Sequence, residues 1–504
     1  MELLDNLLLG FSTAVSPANL LYCLAGCILG TLIGVLPGIG PLATISVLLP
    51  FTFGLEPTTA LIMLAGIYYG AAYGGSTTAI LIKLPGETSS VVTVLDGYAM
   101  ARQGRAGVAI ATAAIGSFVA GCVGTLVLAA FAAPLATIAY RFGATEYFSL
   151  MLLGVVGAAS LSSGAMVKSV GMVLIGLILG TVGTDLDSGV QRFTFGQPLL
   201  WEGVNFVIVA VGLFGFAEVV SGVEEGAERE TVTASMGRLM PGRDELRRMI
   251  PSILRGTAIG SVLGVMPGAG LSVSSLFSYS LEKRVSRFRH LMGHGAIEGV
   301  AGPESANNAA AQTAFIPTLA LGVPGSPTMA LMLGAMIMHN IQPGPQVITR
   351  NPDVFWGLIA SMWIGNAILI VLNLPLVGLW VKLLTIPFRA LYPAILLFCC
   401  LGVYSLRFSS FDVVLAAGFG LAGYVFRKLE CQPTPLLVGF ILGPLMEENF
   451  RRAMIFAEGD YTVFVRQPVS LALLLLATLL IGLAGVGHIR RGADPSGSTA
   501  VGNP

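Results

Sequence analysis

The chain has 504 residues, of which 55% are hydrophobic and only 11% are charged, and its mean hydropathy is +0.83. Soluble domains usually carry about 25% charged residues, so this composition excludes an ordinary soluble protein and predicts a membrane protein. The 27 basic and 27 acidic residues cancel, so the net charge gives no indication of a nucleic-acid partner, and we expect none.

Charged residues fall in discrete clusters that mark loops, and the apolar runs between them are the candidate membrane helices. A run of about 18 apolar residues spans a bilayer, and we expect an all-α polytopic membrane protein with about 11 crossings plus two re-entrant hairpins. In chain order the apolar runs are 20–50, 58–84, 107–140, 145–161, 166–184, 199–220, 252–280, 305–339, 353–381, 390–405, 411–426, 432–446 and 467–487.

The longest polar stretch lies near the middle of the chain. Lys and Arg residues near membrane ends favour the cytoplasmic side. Placing this stretch in the cytoplasm puts most basic residues on that side, with the N-terminus outside and the C-terminus inside. The predicted organisation is a first transmembrane repeat over 1–220, a cytoplasmic linker over 221–250, a second transmembrane repeat over 251–489 and a disordered C-terminal tail over 490–504.

One uncharged motif occurs twice, as GTLIGVLPGIG at 30–40 and as GSVLGVMPGAG at 260–270. Neither flank of the first run carries Lys or Arg, whereas both flanks of the second run are basic. Each run therefore returns to the side from which it came, which predicts re-entrant hairpins entering from opposite sides. Such inverted repeats are typical of secondary transporters. Two full-length helices, or a simple close helix contact through Gly-x-x-x-Gly, are the alternatives.

A second Pro-Gly pair follows each motif, in KLPGETSS at 83–90 and in GVPGSPTM at 322–329. Strongly polar stretches precede both pairs, at 69–83 and 302–315. This pattern predicts a broken helix in each half. Backbone groups freed by such a break are tolerated at membrane depth only where they line a cavity or meet protein. Freed N–H groups attract anions and freed carbonyls bind cations, so the breaks are candidate binding segments.

The candidate binding residues lie at these breaks and beside them. Backbone groups would come from Gly38, Gly40, Gly86, Gly268, Gly270 and Gly325. Side-chain donors and acceptors would come from Ser76, Thr77, Thr78, Ser305, Asn307, Asn308 and Ser326. Lys83 would either extend to the membrane surface or pair with a bound carboxylate, with Glu87, Asp96 and Glu304 as its partners or as ion ligands.

Two blander interpretations stay open for these polar residues. The three hydroxyls at 76–78 could simply bond back to carbonyls of their own helix. The adjacent amides at 307 and 308 could lie near the membrane interface. The chain contains no Walker sequence, no Gly-x-Ser-x-Gly and no His-Glu-x-x-His, so we predict neither an enzyme nor a catalytic residue. No metal site is expected beyond one for Na⁺.

Three stretches closely resemble the large permease subunit of the tripartite tricarboxylate transporters, and the resemblance extends over nearly the full chain. The chain departs from the family's pattern at Gln312 and Thr313, where small residues are expected. The three stretches are GTLIGVLPGIG, YGGSTTAILIKLPGETSSVVTVLDGYAMARQGRAG and GPESANNAAAQTAFIPTLALGVPGSPTMALMLGAMIMHNIQPGP.

The resemblance implies a bacterial inner-membrane permease, for which the orientation predicted from the basic residues means a periplasmic N-terminus and a cytoplasmic C-terminus. Its implied partners are a small membrane subunit of four helices and a periplasmic solute-binding protein. The implied substrate is an organic carboxylate, commonly a tricarboxylate such as citrate. Uptake would use no cofactor and would be driven by an ion gradient, usually Na⁺, through alternating access, for which the hairpins suggest an elevator. The alternatives are a stand-alone ion-coupled carboxylate symporter, a channel or a membrane-embedded enzyme.

Overall fold

The computed structural model describes residues 2–36, 40–160, 165–185, 188–225, 236–266, 270–383 and 388–492. It is 80% helical, which confirms the prediction of an all-α protein. The helices are α1 Glu2–Ala14, α2 Pro17–Gly34, α3 Pro41–Leu48, α4 Pro57–Ile82, α5 Val91–Arg102, α6 Ala106–Ala139, α7 Ala144–Ser160, α8 Met166–Gly180, α9 Phe206–Ala210, α10 Ala217–Glu225, α11 Arg243–Val265, α12 Gly270–Val285, α13 Glu298–Thr313, α14 Phe315–Leu321, α15 Pro327–Met338, α16 Gln346–Arg350, α17 Pro352–Asn373, α18 Val377–Leu383, α19 Phe388–Arg407, α20 Ser410–Lys428, α21 Thr434–Phe456, α22 Val463–Arg466 and α23 Pro468–Gly492.

Short irregular elements connect these helices. A π-helical segment, Val211–Phe216, joins α9 to α10. Two strands, β1 Gly183–Thr184 and β2 Gln191–Arg192, form a small antiparallel pair in which Gly183 faces Arg192. The 3₁₀ turns are Leu49–Thr52, Thr88–Ser90, Pro198–Leu200 and Arg289–Leu291.

Five helical segments in the described part of the chain are long and apolar enough to cross a membrane. A chain with several such helices is a multi-pass membrane protein. The number of crossings stays a prediction, because several further apolar helices are shorter. The five segments are Pro17–Gly34, Ala106–Ile138, Phe206–Glu224, Pro352–Asn373 and Ser410–Lys428.

The chain forms two compact units, which do not follow the two sequence halves. One unit comprises 1–140 and 205–424, and the other comprises 141–204 and 425–504. In the second unit, Arg451 donates to Asp185 at 2.7 Å and to Glu447 at 2.6 Å. The predicted linker 221–250 lies in the first unit, and its last residues, 243–250, belong to α11.

Helices α4 and α13 form the centre of the first unit. Residues 58–81 of α4 are all buried, as expected of a helix that is apolar around its whole circumference. Helix α13 is also buried from end to end, although it contains Glu304, Asn307 and Asn308. Polar side chains are seldom fully buried unless they have partners. The burial of α13 therefore places the polar stretch inside the protein rather than at an exposed membrane interface.

Glycines at intervals of four residues bring α2 and α4 into backbone contact. A Cβ atom added at Gly30 would lie 2.3 Å from the carbonyl oxygen of Ile67, and one added at Gly70 would lie 2.6 Å from that of Cys27. The contact is therefore reciprocal, and neither helix has room for a methyl group at these positions. The glycines concerned are Gly26, Gly30 and Gly34 of α2 and Gly66, Gly70 and Gly74 of α4.

The same contact recurs between α11 and α13. A Cβ atom added at Gly260 would lie 2.1 Å from the carbonyl oxygen of Ala306. One turn away on each side, Gly256 meets Gly302 and Gly264 meets Ala310. The close-contact interpretation of Gly-x-x-x-Gly is thus confirmed for both motifs, at the residues that precede each Pro-Gly pair.

The predicted helix breaks are confirmed. Helix α4 ends at Lys83, which is left-handed with φ 59°, and α14 ends at Gly322, which is left-handed with φ 72°. The first motif separates α2 from α3 and the second separates α11 from α12. Whether these pairs re-enter the membrane as hairpins stays a prediction.

We predict that Gly30→Ala destabilises the protein. Ala is normally the better helix residue, but its methyl group would enter the Ile67 carbonyl and separate α2 from α4. Overpacking of this kind lowers the free energy of unfolding by about 1–3 kcal/mol. Thermal unfolding of the detergent-solubilised protein measures the change.

Gly171→Ala in α8 is the matched control, because nothing lies within 4 Å of a Cβ atom added there. We expect the control to match the wild type or to exceed it slightly. Equal thermal midpoints for Gly30→Ala and the wild type would show that the glycine contact is not needed.

Candidate functional site

The structure brings the end of the first motif to the first helix break, and Gly86 lies at the meeting point. Its N–H donates to the carbonyl of Gly75 at 3.4 Å. A Cβ atom added at Gly86 would lie 2.4 Å from Gly75 Cα and 2.8 Å from the Gly34 carbonyl oxygen. Gly40 caps the start of α3 beside it. A Cβ atom added at Gly40 would lie 3.8 Å from the Gly86 carbonyl oxygen. Only glycine fits at position 86.

The second motif reaches the same region from the other half of the chain. Gly270, with φ 61°, opens α12, and two residues later Ser272 Oγ donates to Thr88 Oγ1 at 2.9 Å. In the second break, a Cβ atom added at Gly325 would lie 3.6 Å from the carbonyl oxygen of Gly264. Each break is therefore packed against the end of a motif helix. Gly38 and Gly268, at the motif centres, lie outside the described residues.

Glu304 of α13 is a fully buried carboxylate, with 1% of its surface exposed. Ser76 Oγ of α4 donates to Glu304 Oε2 at 2.7 Å. Thr93 of α5 donates its hydroxyl to the other carboxylate oxygen, Oε1. One carboxylate thus joins three helices through two hydroxyl donors.

The two amides of α13 contact different helices. Asn307 Nδ2 donates to Glu87 Oε1 at 3.1 Å, at the first break. Asn308 Nδ2 donates to Ser117 Oγ of α6 at 2.6 Å and to the Glu304 carbonyl at 3.1 Å. Glu87 also accepts from the Ser89 hydroxyl and belongs to a capping box with Ser90. The polar cluster of Ser76, Glu87, Thr93, Glu304 and Asn307 is thereby defined, and we call it the carboxylate cluster.

Several buried polar atoms near this cluster have no hydrogen-bond partner among the described residues. They include Asn307 Oδ1, Ser305 Oγ and the Tyr73 hydroxyl. Buried polar groups are normally paired, and exceptions need a specific explanation. A small pocket lined by Tyr73, Ser76, Thr77, Ser117 and Asn373 has a cavity volume of about 10 Å³, which is room for about one water molecule. The region thus combines buried polar atoms that lack protein partners with a narrow pocket.

The remaining predicted residues have local roles. Thr77 and Thr78 bond back to carbonyls of α4, as in the blander interpretation, and Ser76 does so in addition to its bond to Glu304. Ser326 begins α15, where its hydroxyl accepts from Met329 N–H at 3.2 Å.

Lys83 lies apart from the carboxylate cluster. It is exposed, its Nζ lies 5.9 Å from the centre of the Tyr98 ring, and it forms none of the ion pairs found in the described ranges. In this structure its ammonium group therefore contacts an aromatic ring rather than a carboxylate.

Sequence reasoning missed Thr93 and Ser117. Both are polar residues within apolar helices, which was the available signal. Their partners are 211 and 191 residues away in the chain, however, so no local pattern reveals them.

Comparisons with known proteins decide the family. Residues 20–438 match the model of the tripartite tricarboxylate transporter TctA family. The chain belongs to this family. Membership confirms the resemblance noted in the sequence. Because this is a transporter family, membership indicates transport rather than catalysis.

Two relatives of this TctA protein come from Agrobacterium vitis. One, an uncharacterised 52.8 kDa protein in the TAR-I ttuC' 3' region, is 55% identical over 98% of both chains. The other, an uncharacterised protein in the TAR-II ttuC' 3' region, is 57% identical over 47% of this chain and 97% of its own. No solved structure matches the chain.

Asp96 of the TctA protein is fully buried and holds a loop in place. It accepts from the N–H groups of Gly293, Gly295 and Ala296 at 2.7–3.0 Å and from the Tyr279 hydroxyl at 3.0 Å. A carboxylate surrounded by protein donors has little capacity left for a ligand. The expectation that it serves Lys83 or an ion is not supported by this geometry, which makes Asp96 a structural residue.

We predict that Asp96→Asn lowers stability by about 1–3 kcal/mol, because the amide replaces an acceptor with a donor that faces backbone N–H groups. The thermal midpoint of the solubilised protein measures this. Glu430→Gln is the control, since Glu430 is 88% exposed and its ion pair with Lys168 is 3.7 Å long. A midpoint for Asp96→Asn as high as that of the control would contradict the structural role.

Proposed function

We propose that this chain is the large permease subunit of a binding-protein-dependent secondary transporter that imports an organic carboxylate such as citrate. Family membership over 20–438 supports the class of protein. The observation that carries the proposal is that each helix break packs against the end of a motif helix, the first at Gly86 against α2 and the second at Gly325 against α11, while Ser272 of α12 also bonds to Thr88 in the first break. Broken helices that meet inside a membrane protein are the usual binding sites of secondary transporters.

The breaks supply groups suited to an anionic substrate. At the second break Gly325 carries no side chain, and Ser326 begins a helix whose N-terminal N–H groups favour negative charge. The substrate carboxylates would bind these donors, while the carboxylate cluster would serve the coupling ion. We propose Na⁺ as that ion, with no cofactor and no metal site other than the one for Na⁺.

The proposed topology is an inverted repeat with a periplasmic N-terminus and a cytoplasmic C-terminus in the bacterial inner membrane. Its support is the charge distribution, together with the glycine contact and the broken helix that recur in both halves. The two hairpins would move together in an elevator-like step that exposes the site first to one side and then to the other.

The proposed partners are a small membrane subunit of four helices and a periplasmic solute-binding protein. TctA proteins are components of tripartite transporters of this composition. Substrate selectivity would then lie largely in the binding protein, and the permease site would recognise carboxylates as a class.

Reconstituted uptake tests the function. We expect proteoliposomes with both membrane subunits to accumulate labelled citrate, or another hydroxy acid such as tartrate, when binding protein and an inward Na⁺ gradient are present. Omitting the binding protein or dissipating the gradient should reduce the initial rate by about tenfold or more, to that of empty vesicles, because binding-protein delivery and ion coupling are both required.

The outcome distinguishes the alternatives. Full uptake without binding protein would indicate a stand-alone symporter, and flux without a gradient would indicate a channel. Either result would overturn the proposal, as would the absence of uptake of every organic acid tested.

Cysteine labelling tests the topology. In a background without the six native cysteines, Ile39→Cys and Ala269→Cys place one thiol in each Pro-Gly motif. We expect an impermeant maleimide to reach position 39 from the periplasmic side and position 269 from the cytoplasmic side, since the hairpins enter from opposite sides. Labelling of both positions from one side only would exclude the inverted arrangement.

A further inference from the structure

The carboxylate cluster contains two acidic side chains and no basic one. Glu304 is fully buried and Glu87 lies at the partly exposed edge of the cluster. Neither takes part in the ion pairs formed by the described residues. Both belong to one cluster, because Asn307 lies one helical turn after Glu304 on α13 and donates to Glu87. Two uncompensated negative charges at one buried site are unfavourable unless a cation or a proton joins them.

Two other buried carboxylates of the same unit, Glu282 and Glu298, are compensated by arginines. Glu282 accepts from Arg255 Nε at 2.7 Å and from Arg255 Nη2 at 2.8 Å, and it also accepts from Ser252. Glu298 pairs with Arg248 through two bonds of 2.9 and 2.8 Å. The fold thus supplies an Arg to these buried acids but not to Glu304, which indicates that the missing charge comes from a ligand.

A second observation points to a ligand at the same place. Asn307 is 1% exposed and its Nδ2 is bound to Glu87, but its Oδ1 has no donor among the described residues. An amide oxygen beside two carboxylates and the hydroxyls of Ser76 and Thr93 forms an all-oxygen donor set. Oxygen ligands of this kind are those that hard cations prefer.

We propose that Glu304, Glu87 and Asn307 form the binding site of the coupling monovalent cation, and that this site must be filled before the substrate carboxylate binds at the adjacent helix breaks. Two carboxylates that have no bound cation repel an approaching anion. Once a cation binds, much of that negative charge is neutralised and the substrate can approach. The order of binding follows from electrostatics. This inference rests on the proposed function and names the coupling site within it.

Two cations satisfy this chemistry, Na⁺ and H⁺. Na⁺ would be held by the oxygens directly, while a proton would reside on a carboxyl oxygen of Glu304. The titratable groups that face Glu304 are Glu87 from the 3₁₀ turn and Tyr73 from α4. Asp96 of α5 is engaged by the loop at 293–296, and Glu282 of α12 is engaged by Arg255.

Glu304→Gln is the decisive variant, because the amide mimics a permanently neutralised carboxyl. In reconstituted vesicles we expect the ratio of gradient-driven accumulation to substrate exchange at equal ion concentrations to fall about tenfold or more below that of the wild type. The variant should lose accumulation driven by a Na⁺ or a pH gradient, since no charge is left for the cation to neutralise. Dependence of wild-type accumulation on Na⁺ at constant pH, or on pH without Na⁺, identifies which cation occupies the site.

Three results would overturn the inference. The first is gradient-driven accumulation by Glu304→Gln that equals the wild type. The second is loss of both exchange and accumulation in a Glu304→Gln protein that remains monodisperse with a wild-type thermal midpoint. If Glu304→Gln does not fold, Glu304→Asp replaces it, because this variant keeps the charge but shifts the carboxylate oxygens. It should raise the cation concentration needed for half-maximal uptake about tenfold. An unchanged cation concentration for Glu304→Asp is the third result that would overturn the inference.

A measurement without transport separates this inference from the proposed function. Raising NaCl at the expense of choline chloride, or lowering pH, should raise the thermal midpoint of the purified wild type but not that of Glu304→Gln. Asp96→Asn is the matched control, since its carboxylate is also buried but is saturated by protein donors. It should keep the wild-type cation response although its midpoint is lower. A cation response in Glu304→Gln equal to that of the wild type would overturn the site even if no substrate were ever found.

Discussion

Backbone contact between glycine-faced helices is the constraint on which the rest of this structure depends. Inside a membrane, helices gain little from the hydrophobic effect when they meet, so close packing of small residues must hold them together. The α2–α4 and α11–α13 pairs achieve this because Gly30 and Gly260 let one helix lie directly on the carbonyls of its neighbour. The same closeness brings the Gly34 carbonyl to Gly86, so the packing contact also positions the helix break.

Burial of a polar helix follows from this arrangement. With α11 on one side and α4, α5 and α6 on others, α13 is removed from both lipid and water. Its polar side chains must then find partners in protein, and Glu304, Asn307 and Asn308 bond to α4, α5, α6 and the first break. Asn307 Oδ1 and Ser305 Oγ of the same helix have no partner among the described residues, and a ligand would gain most from binding at such atoms.

The sequence predicted the places where the chain changes direction. Pro and Gly act locally, so the breaks at 83–90 and 322–329 and the interruptions in both motifs could be located without knowledge of tertiary contacts. The partners of the polar residues could not. Thr93 and Ser117 are hydroxyl residues with no local motif around them, and only packing of distant segments shows that they bond to Glu304 and Asn308. The sequence did not decide whether Lys83 reaches the surface or pairs with a carboxylate. Its exposure depends on how the folded chain packs around it.

The two halves share a backbone design but differ in charge, and this difference bears on the mechanism. Aligning Pro85 with Pro324 places the left-handed Lys83 opposite the left-handed Gly322, and Glu87 opposite Ser326. Each break therefore has the same conformation, but only the first carries an acidic side chain. Under the proposed function, an anionic substrate would be favoured at the uncharged second break, where Ser326 begins a helix, and the coupling cation at the acidic first break. One fold would then hold a substrate and its coupling ion at equivalent breaks, so that the binding of each would strengthen the binding of the other.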